Sequence, residues 1–328
     1  MKETIAGESP VHSSSVTLSP CHLVTPSSLR VTVLYGGPSA EREISLISGR
    51  AVIDGLKSAG HTVFASDISP EDLSGLDHPA DVVFPVLHGA FGESGELQEI
   101  LEKRGIPFVG SGSKASRLGM DKVAMKEAWQ RAGLPTPAWR VIDADHAADP
   151  PPIPGPCVVK PIDSGSSIDV FLCKAPAECE AQSAAAIRAV AKKHGRALVE
   201  KFIAGVELTV GLLEEKPLAP IRIVPKGEFF DFHAKYKAND TEHRFETGLA
   251  PEVIERCREL ARRANEVAGA RDLARIDMIV DESNEPYLLE INTLPGFTPK
   301  SLLPEAAKHA GIEFDQLVDR LVRRAASR

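Results

Sequence analysis

Residues 31–35 form a short apolar run that ends on Gly36-Gly37, after which Ile44, Ile47, Ala51, Val52 and Leu56 recur at helical spacing. Strand, glycine turn and helix in that order constrain the fold more than any other feature, because the pattern is repeated. Residues 61–66 and 81–87 read as further strands, 96–104 as a helix and 106–109 as a strand. Such alternation predicts a small parallel α/β sheet up to about Ser113.

Beyond that point the pattern changes. A helix is expected over 121–132, ended by Gly133 and the Pro135, Pro137 pair, and the stretch 149–156, with five prolines, reads as a surface loop. Residues 157–161 and 168–173 read as two strands joined by the tight turn Asp163-Ser164-Gly165-Ser166-Ser167, followed by an alanine-rich helix over 176–194. Strands then dominate at 197–202, 206–213 and 218–224. A helix covers 251–269, and a hairpin of 273–280 and 286–291 precedes two final helices. The polar stretch 231–248 has little periodicity, and a segment of that kind inside a compact domain reads as a lid or as disordered. The expected organisation is a disordered or misassigned tail (1–29), an N-terminal α/β domain (30–115), a central subdomain (116–205) and a C-terminal subdomain (206–328) with a lid loop at 231–250.

Composition narrows the function classes. A chain of 328 residues with 43% apolar content can bury the cores of two or three domains. Its formal charge of -8 argues against a nucleic-acid surface. No apolar run approaches the ~20 residues needed to cross a bilayer, so no membrane association is expected. Five cysteines, odd in number and without a C-x-x-C pair, suit a reducing cytoplasm and a structural role. The first thirty residues, rich in Ser, Thr and Pro, lack the basic start and apolar stretch of a signal peptide.

Chemistry concentrates in the hairpin. If it is symmetric about the Ser283-Asn284 bond, Asp277 sits opposite Glu290, Arg275 shares a face with Asp277, and Glu290 shares one with Asn292. Opposed like charges destabilise a sheet unless something positive lies between them. Three oxygen donors with two negative charges suit Mg²⁺, a hard cation that completes its octahedron with phosphates and water. An exposed hairpin with solvated charges is the bland alternative, and the apolar neighbours Ile276, Met278, Leu288 and Ile291 weigh against it. Lys122 opens a helix and Lys160 precedes the Gly/Ser turn. A lysine beside such a turn makes a phosphate cradle, although a surface hairpin would look the same. Glu200-Lys201 on an apolar strand and Glu207 on the next could read adenine by backbone and ribose by carboxylate, or form a salt-bridged strand.

Together these residues resemble the ATP-grasp superfamily and, within it, the D-alanine–D-alanine ligase family, over about residues 31–321. The motifs that carry the resemblance are the glycine-bounded segment 36–49, His88-Gly-Ala-Phe-Gly-Glu-Ser-Gly with Gln98, Gly110-Ser-Gly, Met120-Asp-Lys122, Val159-Lys-Pro161, Gly165-Ser-Ser167, Glu200-Lys201, Lys235-Tyr236, Arg275-Ile-Asp277 and Glu290-Ile-Asn-Thr-Leu-Pro-Gly296. The resemblance implies an ATP-grasp fold, mixed α/β and α+β, with an N-terminal Rossmann-like parallel-sheet domain. By the same resemblance Lys122 and Lys160 would hold ATP phosphates, Lys235 the γ-phosphate, Glu200, Lys201 and Ile203 the adenine region, and Glu207 the ribose. Asp277, Glu290 and Asn292 would bind two Mg²⁺ ions, with Mn²⁺ as a substitute. Glu41 would receive the first D-alanine's ammonium, in a network with Ser166 and Tyr236 that closes the lid, and His88 would lie near that substrate. Arg275 and the Gly296 amide would stabilise a tetrahedral oxyanion, while Ser301 and Leu302 would meet the second D-alanine's carboxylate.

The implied activity is ATP-dependent joining of two D-alanines through a D-alanyl phosphate, for peptidoglycan precursor synthesis, by a cytoplasmic homodimer. An acceptor such as D-serine or D-lactate is the alternative within the chemistry, and a non-catalytic nucleotide-binding regulator the alternative outside it. The family usually has Glu before the Gly-Ser-Ser turn and Gly after the following aliphatic residue, where this chain has Ser164 and Asp169. Near the end of the lid a usual Pro-Ala pair is Glu246-Thr247, and a usual aromatic is His243.

Overall fold

A computed structural model describes residues 1, 28–146, 153–165, 168–174, 179–225 and 241–328. The first sheet is parallel, as the alternation predicts. Strand β1 (Arg30–Tyr35) lies between β2 (Thr62–Asp67), reached through helix α1 (Arg42–Ser58), and β3 (Val82–Pro85). The central strand is buried over Val31, Val33 and Leu34, as a strand covered on both faces requires. The strand expected at 106–109 is reduced to a single bridge between Val83 and Phe108. Pro107 has no N–H to give, so pairing is limited to Val83 N–H donating to Pro107 O and Val109 N–H donating to Val83 O.

Short helices follow: α2 (Ala90–Glu93), α3 (Glu96–Lys103), α4 (Ser113–Met120) and α5 (Lys122–Arg131). Helix α4 was not legible in the sequence. Its Ser-Lys-Ala-Ser-Arg-Leu-Gly-Met run shows no apolar stripe, and it is held by docking rather than by propensity. A side chain at Gly119 would come within 3.0 Å of Thr293, just past the strand that α4 lies against. Helix α5 starts where expected because Asp121 caps it, accepting from the Val123 and Ala124 amides at 2.9 Å.

The second sheet is antiparallel, in the order β4-β7-β5-β6, from β4 (Trp139–Asp143), β5 (Cys157–Lys160), β6 (Phe171–Cys173) and β7 (Arg196–Lys201). Helix α6 (Cys179–His194) closes one face, setting Ala186, Ile187 and Val190 on Cys157, Val159 and Val199. The four described cysteines are free and buried, as a structural role predicts.

The third sheet is also antiparallel, with β8 (Gly205–Leu213), β9 (Lys216–Pro217), β10 (Ile221–Pro225), β11 (Thr241–Arg244), β12 (Leu273–Asp281) and β13 (Pro286–Asn292). Its order is β11-β10-β8-β12-β13, with β9 on β8. Strand β12 alternates: Ala274, Ile276, Met278 and Val280 are buried under Cys257, Ala261 and Ala264 of helix α7 (Pro251–Ala268), which leaves Arg275, Asp277 and Ile279 for the opposite face. Two helices end the chain, α8 (Leu302–His309) and α9 (Phe314–Ala326). Helix α9 packs mainly on α1 and β3, and reaches only Leu213 and Leu273 at the end of the third sheet. Its Leu317, Val318, Leu321 and Val322 share one core with Val31, Val33, Val52 and Leu56 of the first. Among the described residues no helix is long and apolar enough to cross a membrane.

Candidate active site

The β12–β13 hairpin places Asp277 opposite Glu290 and Arg275 opposite Asn292, the pairing expected from the sequence. The symmetry behind that expectation is broken by a bulge. Val280 pairs Pro286 and Met278 pairs Leu288, so the register shifts between Asp277 and Met278, and Leu289 is the extra residue. A bulge sends two successive side chains to one face, and Leu289 and Glu290 accordingly line the same cavity. The like charges are not left opposed. Arg275 donates to both oxygens of Asp277, at 2.9 and 2.8 Å, and Thr209 Oγ1 donates to Asp277 Oδ1 at 2.6 Å. Lys122 lies 3.8 Å from Glu290. The Asn292 side-chain oxygen accepts from the Leu294 amide at 2.9 Å.

Two cavities open on this hairpin. One, of about 330 Å³, lies between the second and third sheets and is lined by Lys160, Glu200, Lys201, Ile203, Glu207 and Asp277, with aliphatic walls at Val158, Leu172, Ile279 and Leu289. The other, of about 310 Å³, is lined by Glu41, His88, Arg275, Asn292, Gly296, Ser301 and Leu302. Lys122, Ser164 and Glu290 line both, so the cavities meet at one wall. There Lys122 Nζ donates to Ser164 O at 2.6 Å.

In the first cavity Lys160 sits 2.5 Å from Glu200 Oε2, and on the other side of the carboxylate Lys126 sits 2.5 Å from Oε1. Burial acts to raise the Glu200 pKa, but the two ammonium groups more than offset it and hold the carboxyl below its ordinary range. Burial likewise works against the charge on Lys160, and the Glu200 and Glu290 carboxylates raise its pKa above the usual lysine value.

In the second cavity Glu41, the residue before α1, is buried, as is His88. The His88 Nε2 atom is buried without a hydrogen-bond partner. Burial acts to lower the His88 pKa, yet Glu93, 3.8 Å from Nδ1, and Glu41 behind it leave it raised. Ser301 Oγ accepts from the Thr298 amide at 3.0 Å. A Cβ on Gly296 would lie 3.1 Å from that oxygen and 3.9 Å from the His88 ring, so glycine leaves the floor open. Of the residues expected to differ at the end of a lid, His243 Nδ1 lies 2.7 Å from Glu305 on α8, and the Thr247 carbonyl accepts from Arg222 at 3.0 Å. Both are tied to the body of the protein.

Each candidate residue that falls among the described ones therefore lines one of the two cavities. Ser166, Lys235 and Tyr236 lie outside the described residues. Lys126 was missed; the available signal was a lysine four residues after Lys122 on an otherwise apolar helix face. For the metal, two carboxylates and an amide oxygen are hard donors of the right charge and too few for a complete shell, which fits Mg²⁺ bound partly by phosphate and water. Among the described residues no group of three or more His, Cys, Asp and Glu could hold a metal alone.

Two family models match the chain: the D-ala D-ala ligase N-terminus over residues 70–111 and its C-terminus over 128–323. A D-alanine–D-alanine ligase from Acidiphilium cryptum (strain JF-5) is 41% identical over 304 residues, 91% of this chain and 99% of the relative. The crystal structure of the D-alanine–D-alanine ligase from Bacillus anthracis complexed with ATP superposes with a TM-score of 0.76 at 28% identity, covering 91% of this chain and 98% of that one. The VanG D-Ala:D-Ser ligase from Enterococcus faecalis superposes with a TM-score of 0.76 at 25% identity, covering 90% and 99%.

Proposed function

Because the chain belongs to the D-alanine–D-alanine ligase family, whose members join two D-alanines at the expense of ATP, we propose that ATP occupies the cavity between the second and third sheets and both D-alanines the other. The reaction is ligation to D-alanyl-D-alanine, with ADP and phosphate as co-products, and it supplies peptidoglycan synthesis. The observation that carries the assignment is the shared wall: a phosphate held by Lys122 and Lys160 would end where the second cavity begins.

In this reading the first D-alanine, its ammonium on Glu41, turns its carboxylate toward that wall and attacks the γ-phosphorus. The bond to the β-phosphate breaks, leaving D-alanyl phosphate and ADP. Lys122 and Lys160 neutralise the charge that spreads over the transferring group. The second D-alanine, its carboxylate at Ser301 and Leu302, then attacks the acyl carbon with its amine, and phosphate leaves. Arg275 and the Gly296 amide receive the oxyanion. Glu200, Lys201 and Ile203 hold the adenine region and Glu207 the ribose. Asp277, Glu290 and Asn292 would hold two Mg²⁺ ions, or Mn²⁺ in their place, whose chemistry there is to neutralise the phosphates. Lys235 would meet the γ-phosphate, and Ser166 and Tyr236 would join Glu41 in the network that closes a lid and so keeps water from the acyl-phosphate. Action as a cytoplasmic homodimer, and a division into units of 30–115, 116–205 and 206–328 that follows the three sheets, complete the proposal.

The test is phosphate release with Mg²⁺, ATP and D-alanine, with D-serine and D-lactate as competing acceptors and the product weighed by mass spectrometry. D-Alanyl-D-alanine should dominate, and no phosphate above background would sink the reading. Asp277→Ala and Glu290→Ala should each lower kcat by at least about 10²-fold, the scale of losing a charge stabiliser of the transition state. Near-normal turnover in either would remove it from the metal set.

A further inference from the structure

Lys126 lies one helical turn beyond Lys122, so both side chains leave the same face of α5. Lys122 reaches the wall between the cavities, whereas Lys126 is sealed at 0% exposure and touches neither. Its Nζ meets Glu200 Oε1 as an ion pair and donates to Thr136 Oγ1 at 2.6 Å. Thr136 in turn donates to the Leu288 carbonyl at 2.8 Å, one residue before the bulge that carries Leu289 and Glu290. We propose that Lys126 is a positioning residue for the nucleotide: it shares the charge of Glu200, so that Lys160 keeps a surplus of positive charge for polyphosphate, and it braces the strand that presents Glu290. The proposal rests on the assignment of ATP to this cavity.

Charge and burial support it together. Lys126, Lys160 and Glu200 leave one net positive charge beside the cavity. Without Lys126 the remaining pair is neutral. Inside a protein a unit charge acts over several ångströms far more strongly than in water, so a sealed group can still be felt by a polyphosphate. A buried ammonium is also expensive to keep where an apolar side chain of similar volume would fit. Burial depresses the Lys126 pKa to about 8 against the pull of Glu200.

The experiment measures KM for ATP and D-alanine, affinities for ATP and AMP, and thermal stability in Lys126→Met, Lys126→Gln and Lys126→Arg. The glutamine variant can keep the contact with Thr136 and covers the case in which the methionine variant does not fold. In the neutral variants KM for ATP should rise about tenfold, one factor of ten corresponding to ~1.4 kcal/mol. KM for D-alanine should move less than about twofold on the same scale. Affinity for ATP should fall more than affinity for AMP, because the loss follows phosphate charge. Lys126→Arg should recover most of the ATP affinity. An equal loss for ATP and AMP, or a lowered melting temperature with unchanged KM for ATP, would reduce Lys126 to a core residue and overturn the proposal. Failure of the parent protein itself to saturate with ATP would instead remove the nucleotide assignment on which it rests.

Discussion

Asp169 stands where the resemblance leads to an expectation of glycine, and its backbone is one that glycine adopts most readily: φ is 56°, in the left-handed region. Aspartate tolerates that region better than most residues, and here Lys193 and His194 hold its carboxylate at 2.6 and 2.8 Å. Those hydrogen bonds, Lys193 first, keep its pKa below the ordinary range. Asp169→Gly should therefore fold with little loss, whereas Asp169→Ala keeps the strain and loses the anchors, at about 1–3 kcal/mol. Chemical denaturation of the two variants separates them, and equal stability would show that the ion pairs rather than φ matter. Lys126 gives a pH signature at the same scale. Its folded pKa is depressed, so between about 8 and the ordinary ~10.4 the unfolded chain still binds a proton that the folded chain has released. The contribution of this group to stability is thus complete above that window and is lost as pH falls through about 8. The melting-temperature difference between the parent and Lys126→Met should grow in the parent's favour from pH 8 to pH 10, and a shrinking difference would contradict the sign.

At the level of elements, the hairpin links packing to chemistry. Met278 is fully buried beneath α7, and its neighbour Asp277 points the other way into the cavity between the second and third sheets. Met278→Ala should cost roughly 2–5 kcal/mol of stability, read by denaturant unfolding, while KM for ATP at low temperature stays close to the parent's. A KM that rises with little loss of stability would mean that the strand is not rigid enough to separate its two faces. The pairing of Asp277 with Glu290 was legible in the sequence because alternation and a short polar loop fix register within a residue. The bulge was not, since an extra residue on one strand leaves no mark in hydrophobic pattern. Helix α4 and strand β4 were missed for a related reason: each is stabilised by what it docks on, and neither carries a stripe of its own. The carboxylates and lysines of the wall were legible by type and order. That Lys126 is sealed behind them was not, because burial of a lysine depends on partners, Glu200 and Thr136, that are distant in the chain or across a turn.

For the molecule as a whole, Asp272 fastens several parts together. It is fully buried with a left-handed backbone, pairs with Arg324 at 3.2 Å and Arg328 at 2.6 Å, and accepts from the Gly110 amide at 2.8 Å. One carboxylate thereby holds the start of β12, the end of the first sheet's region and the turn at the end of α9. Asp272→Ala would leave Arg328 without its anion and the buried Gly110 amide without its acceptor, while Arg324 keeps Glu215, a loss of about 1–3 kcal/mol on the scale of an unsatisfied buried group. Calorimetry should show a lowered transition, and an unchanged one would mean that the arginines find other partners. Helix α9 itself sets an order in time. During synthesis the first sheet and α1 are made before α9, so the apolar surface that Leu317, Val318, Leu321 and Val322 cover stays bare until that helix follows. A nascent chain of this protein therefore carries a sticky flank from the making of α1 until that of α9, and a message cut short before Phe314 would yield a product more prone to aggregation than to partial activity.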